Sequence, residues 1–94
     1  MIELHFQNGF SGETVEIEVD GRVASSFTAR TRYQINLAHI EAVELTRGQE
    51  VVVRLPDLGI SVRIPAAGSR KYYEISKSDE QIHVNATDDL PKYL

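Results

Sequence analysis

The sequence predicts an all-β fold, a small antiparallel β-sandwich of about seven to eight strands, and three observations support it. Apolar and polar residues alternate with period two along most of the chain. Turn residues, single glycines together with Asn, Asp, Pro and Ser, recur about every ten residues, the spacing of short strands in a sandwich or barrel. No segment keeps the helical period long enough for a stable helix. The 94 residues are enough for one core and too few for two. Residues 1–87 are expected to form the domain and residues 88–94 a polar tail.

Taken in order, Ile2, Leu4 and Phe6 alternate with Glu3, His5 and Gln7, a first strand whose outward side holds His5. Asn8-Gly9 through Gly12 turns the chain. Val15, Ile17 and Val19 alternate with Glu16 and Glu18 in a second strand that stops at Asp20-Gly21. A two-residue loop there would pair Glu18 with Val23, a carboxylate beside an apolar side chain. A type I turn with Gly21 as a bulge residue pairs Glu18 with Arg22 and Ile17 with Val23, and is the expected solution. It turns Val23, Ser25, Phe27 and Ala29 inward.

The stretch Thr28 to His39 follows, with two arginines, a tyrosine and a histidine but no acid. From Thr31 on it reads as a connection that Ile35 and Leu37 pin to the core while Arg32, Tyr33 and His39 face water. At most one helical turn is expected within Gln34 to Val43. Val43 and Leu45 alternate with Glu44 in a fourth strand. Val51, Val53 and Leu55 then face Val62 and Ile64 across the Pro56-Asp57-Leu58-Gly59 loop, with Leu55 opposite Ile60, Arg54 opposite Ser61 and Val52 opposite Arg63. Pro65 to Ser69 turns; Tyr73 and Ile75 point in and Tyr72 out; Ile82, Val84 and Ala86 alternate with Gln81, His83 and Asn85 in the last strand. The architecture is similar in shape to immunoglobulin-like or transthyretin-like sandwiches, a likeness of shape alone.

Composition narrows the function classes. With no cysteine, disulfides and thiolate metal sites are excluded, and a reducing, cytoplasmic location is the expectation. MIELHF lacks the basic and apolar regions of a signal peptide, and no run approaches the roughly 20 apolar residues of a membrane helix. The net charge of -4 argues against nucleic-acid binding. Charge comes in blocks: residues 1–20 hold five acids and no base, residues 22–40 three arginines and no acid. Pairing across neighbouring strands is the first reading of that pattern.

Candidate chemistry is sparse. His5 and His83 occupy outward positions on the first and last strands, yet no local ligand motif joins them, so solvated surface histidines are the simpler reading and no metal is assigned. Asp79-Glu80 and Asp88-Asp89 lack the calcium-loop spacing. No serine lies in a GxSxG turn, and no catalytic residue or cofactor is assigned. Two aromatic features remain. Tyr72, after Arg70-Lys71, is an outward ring of the kind that stacks on sugars or anchors protein contacts. Arg30, Arg32 and Tyr33 form a basic, aromatic patch of interface-enriched residue types. Val52 points away from the core that Val51 and Val53 serve, an exposed apolar contact.

The expected function is therefore a non-enzymatic interaction module, binding a protein partner or self-associating through an edge strand, for example as a homodimer. Arg30, Arg32, Tyr33, Tyr72 and Val52 are its candidate binding residues. The alternative is a carbohydrate- or small-ligand-binding module using the exposed tyrosines and arginines.

Overall fold

Alternating burial along the strands builds the molecule. It is described by a computed structural model covering residues 1–64 and 68–93. The described strands are β1 (Ile2–Phe6), β2 (Ser11–Val19), β3 (Arg22–Arg30), β4 (His39–Val43), β5 (Val51–Leu55), β6 (Ile60–Arg63), β7 (Tyr72–Ser78) and β8 (Gln81–Thr87), with a single 3-10 turn at Pro56–Leu58. They form two four-stranded sheets, β4-β1-β7-β8 and β3-β2-β5-β6. Every pairing is antiparallel except β1 with β7, which run parallel. This partition differs from the constant-type immunoglobulin one, where the first, second, fourth and fifth strands share a sheet.

The core is the inward row of each central strand. Ile2, Leu4 and Phe6 of β1 and Tyr73 and Ile75 of β7 meet Val15 and Ile17 of β2 and Val51, Val53 and Leu55 of β5, all buried. Phe10, from the β1–β2 turn, is buried too and packs edge-on against Phe6. That turn is held tightly. Lys77 N–H donates to the Asn8 carbonyl at 2.9 Å. Gly9 has φ +88, and a Cβ there would sit 1.8 Å from the Lys77 carbonyl oxygen, so only glycine fits.

The β5–β6 register is the one expected: Leu55 pairs with Ile60, Arg54 with Ser61 and Val52 with Arg63. The β2–β3 register is not. Val19 pairs with Arg22 and Glu18 with Val23, the two-residue solution, with Asp20 and Gly21 both at positive φ. Such a turn carries the twist that flanking strands want. The compensating bulge lies one pair further on, between Ile17 and Glu18, where Ala24 is the extra residue. Val23 is consequently exposed, while Ser25, Phe27 and Ala29 recover the inward parity.

Three further expectations are corrected. The fourth strand starts at His39 and ends at Val43, and Leu45 packs on the core from the loop beyond. Residues 33–36 form a turn closed by an Arg32–Leu37 bridge, and that loop is tied down by Thr31 and Ala38. Thr31, which is buried, donates its hydroxyl to the Gln7 carbonyl at 2.6 Å and accepts from the Phe10 amide at 3.0 Å. Ala38 N–H donates to the Phe6 carbonyl at 2.7 Å. His5 is buried, because the tail folds back over the outer face of its sheet. Of the turn expected at Pro65 to Ser69, residues 65–67 lie outside the described residues, as does Leu94 of the tail.

Candidate interaction edges

A sandwich of two open sheets has four edge strands, here β3 and β4 on one side, β6 and β8 on the other. Edge strands present unpaired main-chain groups and are where a sheet protein acquires a partner or defends against one. The two sides are built differently.

On the β3/β4 side the sheets are joined through polar and aromatic side chains that point inward. Ser25 of β3 donates its hydroxyl to Glu41 Oε2 of β4 at 2.8 Å, and His39 Nε2 bonds Glu41 Oε1 at 2.7 Å. The His39 ring lies over Phe27, centroids 3.8 Å apart, and Phe27 meets Phe6 edge-on at 5.1 Å. The carboxylate stands between serine and imidazole, so among the described residues the imidazole does not bond Ser25 as it would in a hydrolytic triad, and the three side chains bridge the two sheets.

On the β6/β8 side no such bridge joins the two edges among the described residues. Ile60, Val62, Ile82 and Val84 pack on the core but stay only partly covered. Between the strands lies an open cleft of about 480 Å³, with Ile60 and Val62 on one bank and Ile82 and His83 on the other. The free main-chain groups follow from the ladder. Gln7 N–H donates to the Ile75 carbonyl and Lys77 N–H to the Asn8 carbonyl, so Ile75 and Lys77 face β1. Glu74, Ser76 and Ser78 then face β8, opposite Asn85, His83 and Gln81. The amides and carbonyls of Ile82, Val84 and Ala86 are left pointing to the open edge. On β6 the Ile64 N–H donates to the Val51 carbonyl. By the same alternation Ser61 and Arg63 carry the free groups there.

The four edges also differ in their protection. β3 carries Arg22, Arg30 and a bulge; β6 is four residues long and ends on Arg63; β4 is five residues long and carries Glu41. β8 has seven residues in unbroken register with no proline, lysine, arginine or acid. Its polar side chains are drawn away from the edge towards β7: His83 Nε2 pairs with Ser78 Oγ at 2.9 Å, and Asn85 Nδ2 donates to Glu74 Oε1 at 2.7 Å. The Ser78–His83 pair is exposed, and no described group holds the other ring nitrogen as a hydrolytic triad requires.

The residues singled out from the sequence do not gather at one place. Tyr33 stands at the tip of the 31–38 loop, 72% exposed, with Arg30 and Arg32 exposed nearby. Neither arginine, nor Arg22, forms an ion pair with a described carboxylate, whereas Arg54 of β5 bonds Glu18 at 2.9 Å and Lys77 of β7 meets Glu13 at 3.5 Å. The arginine block is thus not matched internally by described carboxylates. Tyr72 lies at the Glu3 end of β1, the 31–38 loop at the Phe6 end, so the two tyrosines do not share a surface. Tyr72 is half-buried, its edge against His5 at 5.8 Å. Val52 faces outward as expected but sits on β5, an interior strand, between Glu18 and Arg63. It belongs to no edge.

His5 and His83 are kept apart by β7. His5 instead belongs to a covered network: Nε2–H donates to Glu3 Oε1 at 2.9 Å, Nδ1 accepts from the Tyr93 hydroxyl at 2.9 Å, and that oxygen accepts from Gln7 Nε2 at 2.9 Å. Burial, aided by the Glu74 charge, pushes the Tyr93 phenol up despite the Gln7 bond, which keeps it a proton donor. Among the described residues no three His, Asp or Glu side chains gather as a metal site. None of the described helical segments is long and apolar enough to cross a membrane.

Nothing in the sequence points to Tyr93 or Glu41, and Ser25 is legible there only as an inward position of the third strand. The sequence did show the uncharged run from Gln81 to Thr87, which a scan for gaps in the charge pattern would have found. Comparison with protein-family models, with curated proteins and with solved structures gives no match to this chain.

Proposed function

We propose that the protein is a non-enzymatic interaction module that binds a protein partner by strand addition along β8. One observation supports this above all: of the four edges, β8 alone combines length, unbroken register and freedom from charge, proline and bulge, beside a row of partly covered aliphatic side chains. An edge of this kind is a template for another strand. The free groups of Ile82, Val84 and Ala86 would supply main-chain hydrogen bonds, and the cleft beside Ile82 would take the alternate apolar side chains of the added strand.

The test uses a soluble peptide alternating Thr and Val and amide hydrogen exchange on the folded protein. Strand addition slows exchange at Ile82, Val84 and Ala86 and leaves Ser26 and Thr28 of β3 unchanged. Ala86→Pro removes an amide that faces the edge and none that pairs with β7, so it keeps the fold and loses the protection. Protection at β3 instead, or none at millimolar peptide, would overturn the proposal.

A further inference from the structure

The geometry points to the identity of the added strand: β8 of a second copy of this chain, antiparallel to the first, with Val84 opposite Val84 across a two-fold axis. This rests on the strand-addition reading above and names its partner.

The register follows from which groups are free. Only Ile82, Val84 and Ala86 offer main-chain groups outward, so hydrogen-bonded pairs must be formed among these three residues. Centring on Val84 pairs Ile82 with Ala86 of the other copy, Val84 with Val84 and Ala86 with Ile82, and uses every free group on both strands. A shift of the centre to His83 or Asn85 leaves one of the three unpaired on each copy.

Side-chain chemistry agrees with the same register. On the core side, apolar residues meet apolar residues across the seam, which extends the half-covered row of Ile82 and Val84 rather than leaving it against water. On the outer side, His83 falls opposite Asn85 and Gln81 opposite Thr87, all uncharged when the imidazole is neutral. Centring on His83 would set two imidazoles face to face. The first acids beyond the strand are Glu80 and Asp88, which come opposite each other at the ends of the seam. Asp88 is already bonded to Arg70 at 2.8 Å, so a base stands at each end to offset them. The seam is self-complementary at three levels: main chain, inner face and outer face. Such isologous pairing closes on itself as a dimer.

The chain has no cysteine, which makes disulfide trapping clean. His83 and Asn85 of the other copy would be a non-hydrogen-bonded pair, the closer kind, within the Cβ separation that a disulfide accepts. Under air oxidation the double variant His83→Cys/Asn85→Cys is expected to run almost entirely as a covalent dimer, while each single variant stays monomeric under denaturation. Sedimentation velocity of the unmodified protein should show dimer at high micromolar concentration, and Ala86→Pro should shift it to monomer with its melting transition retained. Trapping by His83→Cys alone, without the double variant, would overturn the register. Sedimentation of the unmodified protein as a monomer at high micromolar concentration would overturn the dimer. If peptide protection at Ile82, Val84 and Ala86 survives in that case, strand addition stands with a different partner; if it is absent, both readings fall together.

Discussion

The two sides of the sandwich solve the same problem with opposite chemistry. Along β3 and β4 the inward positions near the rim are Ser25, Phe27, His39 and Glu41, which bond and stack across the gap between the sheets. Along β6 and β8 the corresponding positions are Ile60, Val62, Ile82 and Val84, which touch the core but have no partner beyond it. Polar groups with fixed geometry finish a surface, because each hydrogen bond is satisfied by one specific neighbour. Aliphatic groups at a rim leave it unfinished, since their burial grows with whatever covers them. The contrast is between a rim whose inward groups are bonded to each other and one whose inward groups stay partly covered.

The largest expected effect breaks the closed side. Phe27→Ala removes the ring that joins Phe6 to His39, and should cost about 3 kcal/mol. At the usual scaling for a domain of this size, Tm falls by about 12 °C or more. Circular dichroism melts decide it, and a fall of under about 4 °C would mean that the ring is not what holds β3 to β4. Next comes Glu41→Ala, which strands both Ser25 and His39 and should cost about 2 kcal/mol. Glu41→Gln retains an oxygen for Ser25 and should lose roughly half as much. Equal losses in the two variants would show that the charge, not the bonding geometry, makes the seal.

On the open side a truncation of similar kind should matter less. Ile82→Ala is expected to cost about 1 kcal/mol in the monomer, below the range for a fully buried isoleucine. Urea unfolding in dilute solution measures it. A loss as large as that of Phe27→Ala would erase the difference between the sides.

Legibility in the sequence follows the same division. The β5–β6 hairpin was readable pair by pair, because the loop residues, the apolar face and the charged face all demand one register. The β2–β3 hairpin was readable in its strands but not in its turn: placing the bulge next to Gly21 and placing it at Ala24 give the same inward set from Ser25 on, and alternation does not separate them. β4 was misplaced for a deeper reason. Its inward residues, His39 and Glu41, are polar and its outward Ile40 is apolar, the reverse of the pattern a buried face writes. The pattern reappears only once Ser25 and Phe27 are known to face them. His5 looks solvated from the sequence because its cover, Tyr93, comes from the far end of the chain. For the candidate site, the uncharged β8 strand was visible, but its place at an edge was not, since strand order depends on pairings between distant segments.

The smallest expected effect asks whether the ends of the sandwich are held by shape or by charge. Glu13 of β2 and Lys77 of β7 reach towards each other between the sheets, their side chains only 14% and 12% exposed. Burial opposes ionisation of Glu13, but the amide of Ser11, its own amide and the Lys77 ammonium together outweigh it and hold the carboxyl below the ordinary glutamate value. A carboxyl lowered in the folded state adds stability that is complete above its unfolded value and is lost as pH falls through the folded one. The protein should therefore be more stable than Glu13→Gln at pH 7, and the gap should close as pH falls through the ordinary glutamate value of 4.5 and then through the lower folded one. Urea unfolding of both proteins across that interval reads the difference directly. No gap at any pH would mean that the Glu13 side chain contributes only by filling space, and that this end of the sandwich is closed by shape and not by charge.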